Sequence, residues 1–357
     1  MRPRPGCLGR AVTVIEASAP GKLVLVGEYA VLDGGAALSA AVDTRAKVHL
    51  GPAPSDLCEL QIDNSGDSFA FSLSKTGIPE WRDEPGHLGL LLEIALEQTV
   101  DKSSPPAPFK VSLCTRDFYT SDKPGAEIKK GTGSSAALAV ALTSVLQSYL
   151  GQTPDFGVCD AVHRRFQGGK GSGIDVLTSW YGGVVSKQSG NGAAIVDQLD
   201  WLTGLHVSPV WTGQSASTPA MLDRLAGYRK QSPDDCARLM GRLGKISAQA
   251  LACWKAGDAP GFMRQIETYA WLLKELDAAA HIGVWSAAHL QLEAAAQSAG
   301  TVYKPSGAGG GDYGLLYSAD KERLQHLQQE LKAEGFESTG LEWTRRGMEV
   351  GTPAAVS

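Results

Sequence analysis

Hydrophobic and polar positions divide the chain into a strand-rich first third and a helix-rich last half. Val12 to Ile15, Leu23 to Val26 and Lys47 to Leu50 are short β-branched or alternating runs that read as strands. Glu59 to Asp63 and Ser68 to Leu73, joined by Asn64-Ser65-Gly66, read as a hairpin; a helix follows over Leu88 to Gln98, and Phe109 to Thr115 alternates again. From Ser134 on, Leu138, Leu142, Val145, Leu146 and Tyr149 recur at three- and four-residue steps, which predicts an amphipathic helix ending near Gly151. Pro154 suits the first turn of another helix reaching Phe166. Beyond Trp211, helical patterns cover Pro219 to Leu225, Asp234 to Ala256, Phe262 to Ala280 and Trp285 to Ser298. Strand-like Thr301 to Tyr303 and Gly314 to Tyr317, a helix over Lys321 to Glu334 and a last strand over Glu337 to Trp343 complete the pattern. Strands and helices mix without a strict βαβ rhythm, an α+β arrangement. At roughly 150 residues per domain, the 357 residues suggest two domains, 1–205 and 206–357.

Composition narrows the function classes. With 43% hydrophobic and 20% charged residues the chain reads as a globular protein. Its longest apolar runs, such as Ala136 to Leu142, are far shorter than the ~20 residues of a membrane helix, so it is expected to be soluble with no membrane partner. MRPRPGCLGRA carries arginines with no apolar run behind them and reads as a frayed tail. Cysteines at 7, 58, 114, 159, 236 and 253 have neither CxxC nor metal-ligand spacing, which suits reduced thiols and a cytoplasmic location. Seven scattered histidines without HxxxH argue against a protein-built zinc site. The net charge of −5 disfavours nucleic acid. An anionic small ligand would need a local basic patch.

Three glycine-bearing segments supply candidates. In KKGTGSSAALA (129–139) the turn opens straight into a helix, whose unsatisfied N–H groups and partial positive charge suit a phosphate, with Lys129 and Lys130 beside it. A serine-capped helix after a tight turn is the plainer reading of the same residues. In APGKLVLVGEYAVLDGG (19–35) Lys22 starts an apolar strand, where a cation is costly without an anion. KPSGAGGGDYGLLYS (304–318) packs five glycines between Gly307 and Gly314, a density that marks close approach to a ligand or to another backbone. In a fourth segment, QGGKGSGIDVLTSWYGG (167–183), Asp175 follows a glycine turn and could cap the apolar segment behind it.

The order and spacing of APGKLVLVGEYAVL, KKGTGSSAALAV, GSGIDVLTSWYGG and KPSGAGGGDYGLLY resemble the GHMP kinase superfamily over nearly the whole chain. Glu28-Tyr29-Ala30, Gln167 to Asp175, WTGQSAST (211–218) and Asp312 look like its phosphomevalonate kinase branch. The resemblance implies a two-domain α+β fold, the N-terminal domain ribosomal protein S5 domain 2-like and the C-terminal one ferredoxin-like, with the site between them. It implies ATP phosphates on Lys130, Gly131, Thr132, Gly133, Ser134, Ser135 and Ala136, with Mg²⁺ near Ser135, and Lys22 and Asp175 facing the transferred phosphoryl group. Tyr29, Ser215, Ser217, Ser306, Gly307, Gly309 and Gly310 become substrate-contact candidates, and Trp81 a candidate wall for adenine. The partners implied are ATP and an anionic small molecule, bound by a monomer or homodimer. A kinase for mevalonate or another small alcohol, and a non-catalytic nucleotide sensor, are the competing readings. Two positions depart from the family pattern: Thr132 replaces Leu or Met, and Arg164 stands where mevalonate kinases carry an acidic Mg²⁺ ligand. Arg164, Arg165 and Lys170 are either a solvated face or the cations of the cleft.

Overall fold

The structure, a computed structural model, describes residues 14–120, 128–169, 171–190, 193–336 and 340–352. The N-terminal tail with Cys7, Lys170 and the first half of the expected strand at Glu337 lie outside the described residues.

Two long strands organise the first sheet: β1 (Ile15–Val26) and β2 (Ala37–Pro52) run antiparallel. β3 (Cys58–Ile62) and β4 (Asp67–Leu73) form the expected hairpin, extended by β5 (Pro79–Trp81). Then come α1 (Gly86–Thr99), β6 (Phe109–Cys114), α2 (Ser134–Tyr149), α3 (Phe156–Phe166), α4 (Ile174–Tyr181), β7 (Val184–Ser189) and β8 (Ala194–Leu199). β2 is long enough to pair with β6 through Lys47 to Pro52 and with β7 through Ala37 to Ala40.

A second sheet of order β10-β11-β9 uses β9 (His206–Trp211), β10 (Val302–Pro305) and β11 (Tyr313–Ser318). Between them in the chain lie α5 (Thr218–Gln231), α6 (Pro233–Lys255), α7 (Ala259–Ala280) and α8 (Ala287–Ser298). After α9 (Lys321–Ala333) the chain returns to the first sheet: Val42 bridges Trp343, and β12 (Glu349–Gly351) pairs with Glu16 to Ser18 of β1. In place of the strand expected up to Trp343 there is this single bridge, and the segment from 340 on serves the first sheet, not the second. A division of the chain near residue 205 therefore remains a proposal that must assign β12 to the N-terminal part.

α2 is not amphipathic. Its side chains from Ala136 to Gln147 are buried on every side. Alanine and serine are small enough for β1, β2, α1, α3 and α4 to pack around it, as a helix in the middle of a core requires. β1 serves two cores: Ala17 and Ala19 belong to the apolar cluster of α1 and α2, whereas Leu23, Leu25 and Val26 belong to that of α6, α7, Tyr313 and Tyr317. Between these stretches the β1–β2 register shifts at Pro20/Gly21, the kind of irregularity that re-aims side chains. Lys22 comes directly after the shift.

Candidate active site

The turn before α2 is built from left-handed glycines, Gly131 at φ 71° and Gly133 at φ 85°. No side chain caps the helix. Its first-turn amides are therefore left to a ligand or water, as an uncapped N-terminus leaves them. Ser134 is buried, so of the two serines expected to line the turn, Ser135 is the one with an accessible hydroxyl. Thr132 is fully buried: its carbonyl accepts from the Lys22 amide (2.8 Å), and the Thr44 hydroxyl meets its own at 3.5 Å. A threonine fits here because it finds a hydroxyl partner in the core. Gly21 is forced by the same contact, since a Cβ there would lie 2.6 Å from the Thr132 carbonyl oxygen.

Lys22 lays its stem along the turn, where a Cβ on Gly133 would sit 3.2 Å from Lys22 Cε. On the other side, Ser135 Oγ is 3.3 Å from His163 Nε2, and that nitrogen is 4.0 Å from Asp175 Oδ2. Asp175 stands in the first turn of α4, and its Oδ1 accepts from the Val176 amide at 3.0 Å. One oxygen thus takes a first-turn amide of α4 while the other faces the histidine. Among the described residues Lys22 and Asp175 form no ion pair within 4.0 Å, although α4 packs against β1. His163 was not singled out from the sequence; a lone histidine just ahead of two arginines on a helix gives no signal of burial.

The cations divide differently from expectation. Lys130 Nζ reaches the Asp117 carbonyl (3.4 Å), whereas Lys129 and Lys22 both act on the carboxylate of Asp312. Arg164 pairs with Asp160 at 3.0 Å and Arg165 with Glu97, both half exposed. Lys187 of β7 was missed; its ammonium donates to the Ser172 carbonyl beside the Asp175 turn. Burial lowers its pKa, while Asp160 and Asp175 pull it up and Arg164 pushes it down.

The glycine-rich loop between β10 and β11 closes against β1 through buried polar links. Ser306 Oγ donates to the Val24 carbonyl and accepts from its amide, both at 3.0 Å, so this hydroxyl is spent on the scaffold. Tyr29, at φ 61°, donates to the Ala308 carbonyl (2.5 Å) and is likewise internal. Beneath them Lys304 Nζ meets Glu28 Oε1 at 2.5 Å with both side chains essentially without solvent. Gly309 and Gly310 pack against Val284 and Gly283, and Gly307 is half-buried. Ser215 and Ser217 are exposed, and the Ala216 amide between them donates to Asp312 Oδ1 at 3.2 Å. Trp81 packs on Phe71 against the first core and donates to Glu93.

Residues 95–183, the segment from α1 to the end of α4, match the GHMP kinases N terminal domain. The chain thus resembles the GHMP kinases. It is 26% identical to a phosphomevalonate kinase of Streptomyces sp. (strain CL190), over 89% of this chain and 94% of that protein. It is also 26% identical to the mevalonate kinase of Bos taurus, over 96% of each. The fold of the chain is that of the Streptococcus pneumoniae phosphomevalonate kinase in complex with phosphomevalonate and AMPPNP. The TM-score is 0.74 at 21% identity, covering 92% of this chain and 99% of that one. The similarity, which extends over most of the chain, supports a GHMP-type phosphotransferase.

Proposed function

We propose that the protein transfers the γ-phosphoryl group of ATP to phosphomevalonate, giving diphosphomevalonate and ADP. One observation carries this reading: the turn at Gly131–Ala136 has Lys22 on one flank and the Ser135–His163–Asp175 cluster on the other. In the transfer, the bond from the γ-phosphorus to the β–γ bridging oxygen breaks as a bond to an acceptor phosphate oxygen forms. Charge accumulates on the equatorial oxygens, so positioning and neutralisation are the main tasks of the protein. The uncapped α2 amides bind the polyphosphate, and Lys22 neutralises the transferred group.

Ser135 offers Mg²⁺ a hard oxygen, and among the described residues no group of three His, Cys, Asp or Glu could bind a metal by itself. This fits an ion that arrives with the nucleotide and keeps several waters. When bound, Mg²⁺ supplies charge neutralisation on the phosphates. An acceptor that is itself a phosphate monoester, with a second pKa near 6, arrives largely deprotonated. Asp175 then orients the acceptor and need not take its proton.

A phosphorylated acceptor is favoured by Arg164 in place of an acidic residue and by Lys187 beside the Asp175 turn. The similarity to the Streptomyces phosphomevalonate kinase supports the same choice. The test is ADP release with Mg·ATP across (R)-5-phosphomevalonate, (R)-mevalonate, galactose and homoserine. Turnover of phosphomevalonate at the highest kcat/KM is expected. Turnover of mevalonate with phosphomevalonate untouched would replace this reading with that of an alcohol kinase.

A further inference from the structure

At Gly131, where the phosphate turn is open to close approach, the group that approaches is a carboxylate. A Cβ on Gly131 would lie 2.1 Å from Asp312 Cγ. An anion fixed against an anion-binding turn is a contradiction unless its charge can change.

Asp312 is firmly placed. Its backbone is left-handed at φ 56°, its amide donates to the Gln214 carbonyl (2.8 Å), and its own carbonyl accepts from the Thr212 amide and hydroxyl at 3.0 and 2.9 Å. The preceding residue is anchored by His289, whose Nε2 is 3.0 Å from the Gly311 carbonyl oxygen. Oδ1 accepts from the Ala216 amide, and among the described residues Oδ2 has no hydrogen-bond donor. The charged groups acting on the carboxylate are Lys22 from β1 and Lys129 from the segment before the turn. Burial outweighs both lysines and the Ala216 amide and raises the carboxyl to about 6.

We propose that Asp312 is a positioning residue of the nucleotide cleft that takes up a proton when a polyphosphate settles on the Gly131–Ala136 turn, and donates the new Oδ2–H to a phosphate oxygen. This rests on the nucleotide reading of the turn given above. Two effects act in the same direction: the incoming negative charge disfavours a neighbouring carboxylate, and it draws Lys22 and Lys129 to itself. The proton comes from solvent, and no bond other than O–H is made. A protonated carboxyl is a donor where the charged one could only accept.

The experiment is calorimetric titration of the full chain with Mg·AMPPNP at pH 7 in two buffers of different ionisation enthalpy, for the natural chain and for Asp312→Asn. Asparagine tolerates the left-handed backbone and keeps an acceptor for Ala216. With about a tenth of the free carboxyls protonated at pH 7, the natural chain should take up as much as about 0.9 proton more per nucleotide than the variant. Its affinity relative to Asp312→Asn should fall between pH 6 and pH 8. Equal proton uptake by both proteins, or an affinity ratio that does not change with pH, overturns the proposal while leaving the nucleotide reading in place. Failure of the natural chain to bind Mg·AMPPNP overturns both.

Discussion

Replacing Lys304 with methionine tests how the glycine-rich loop is held to the Lys22 strand. Lys304 Nζ bonds Glu28 Oε1 at 2.5 Å and the Pro305 carbonyl at 2.8 Å; the two side chains are 0% and 2% exposed, and Glu28 Oε2 has no hydrogen-bond partner. Burial is the larger influence on each member, raising the Glu28 carboxyl and lowering the Lys304 ammonium, with each partly restored by the other. Removing one partner strands a buried charge, at a cost of about 3–5 kcal/mol. An unfolding entropy of about 2.1 cal/mol/K per residue gives about 0.75 kcal/mol/K over the 357 residues, so Tm should fall by about 4–7 °C.

In Lys304→Met the folded-state pKa of Glu28 stands further above its unfolded value. Protonation then favours the folded state: the stabilisation is complete below the unfolded pKa and is lost as pH rises through the folded one. The deficit in Tm should accordingly be smaller at pH 5.5 than at pH 8. Glu28→Gln added to Lys304→Met removes the charge and should recover part of the loss at pH 8, since an uncharged buried group costs less. Thermal melts by circular dichroism at both pH values decide it. A single variant that melts within about 1 °C of the natural chain, or a deficit equal at both pH values, would refute a stranded carboxylate as the cause.

Lys22→Ala should lower kcat by ~10²-fold or more with a small change in KM for ATP, as expected of a group acting mainly in the transition state; steady-state ADP release measures both, and an unchanged kcat removes Lys22 from the chemistry. Gly131→Ala combines a left-handed backbone with a methyl group 2.1 Å from Asp312 Cγ and should weaken nucleotide binding by at least ~10-fold. Adding Asp312→Ala should restore part of it, and no recovery in titration would mean that backbone strain alone is responsible. His163 touches Ser135 and Asp175 with one nitrogen, so His163→Gln, which keeps a polar side chain, should retain more kcat than His163→Ala. Equal rates for the two would make its role one of packing.

Local chemistry was legible in the sequence. Glycines before an apolar helix mark an uncapped N-terminus, and the Gly131–Ala136 turn has that form in the structure. The Glu59–Leu73 hairpin and the helices after Trp211 were visible because their periodicity is strong. Much of β2 was not: ALSAAVD has small residues with no alternation, and the strand is buried through most of that stretch. α4 is only 8 residues long, too short for a helical repeat to show. At the site, contacts between distant parts of the chain were hidden. The carboxylate of Asp312 on Gly131, the fully buried Lys304 and the shared nitrogen of His163 are set by tertiary packing. Sequence reading gave hydroxyls and lysines roles by proximity in the chain, and so missed that Ser306 and Tyr29 bond to the scaffold and that Lys130 reaches the Asp117 carbonyl while Lys129 acts on Asp312.

The pairing of Glu349–Gly351 with Glu16–Ser18 has a consequence for biosynthesis. As the ribosome releases the chain, the outer edge of the strand leading to Lys22 has, among the described residues, no strand partner there until residue 351 has emerged, and Arg45 waits nearly as long for the Gly347 carbonyl it binds at 2.7 Å. That edge of the sheet is thus closed by a segment made after both sheets and their helices, and a fragment stopped at residue 205 would carry the Gly131–Ala136 turn on a sheet with an open margin.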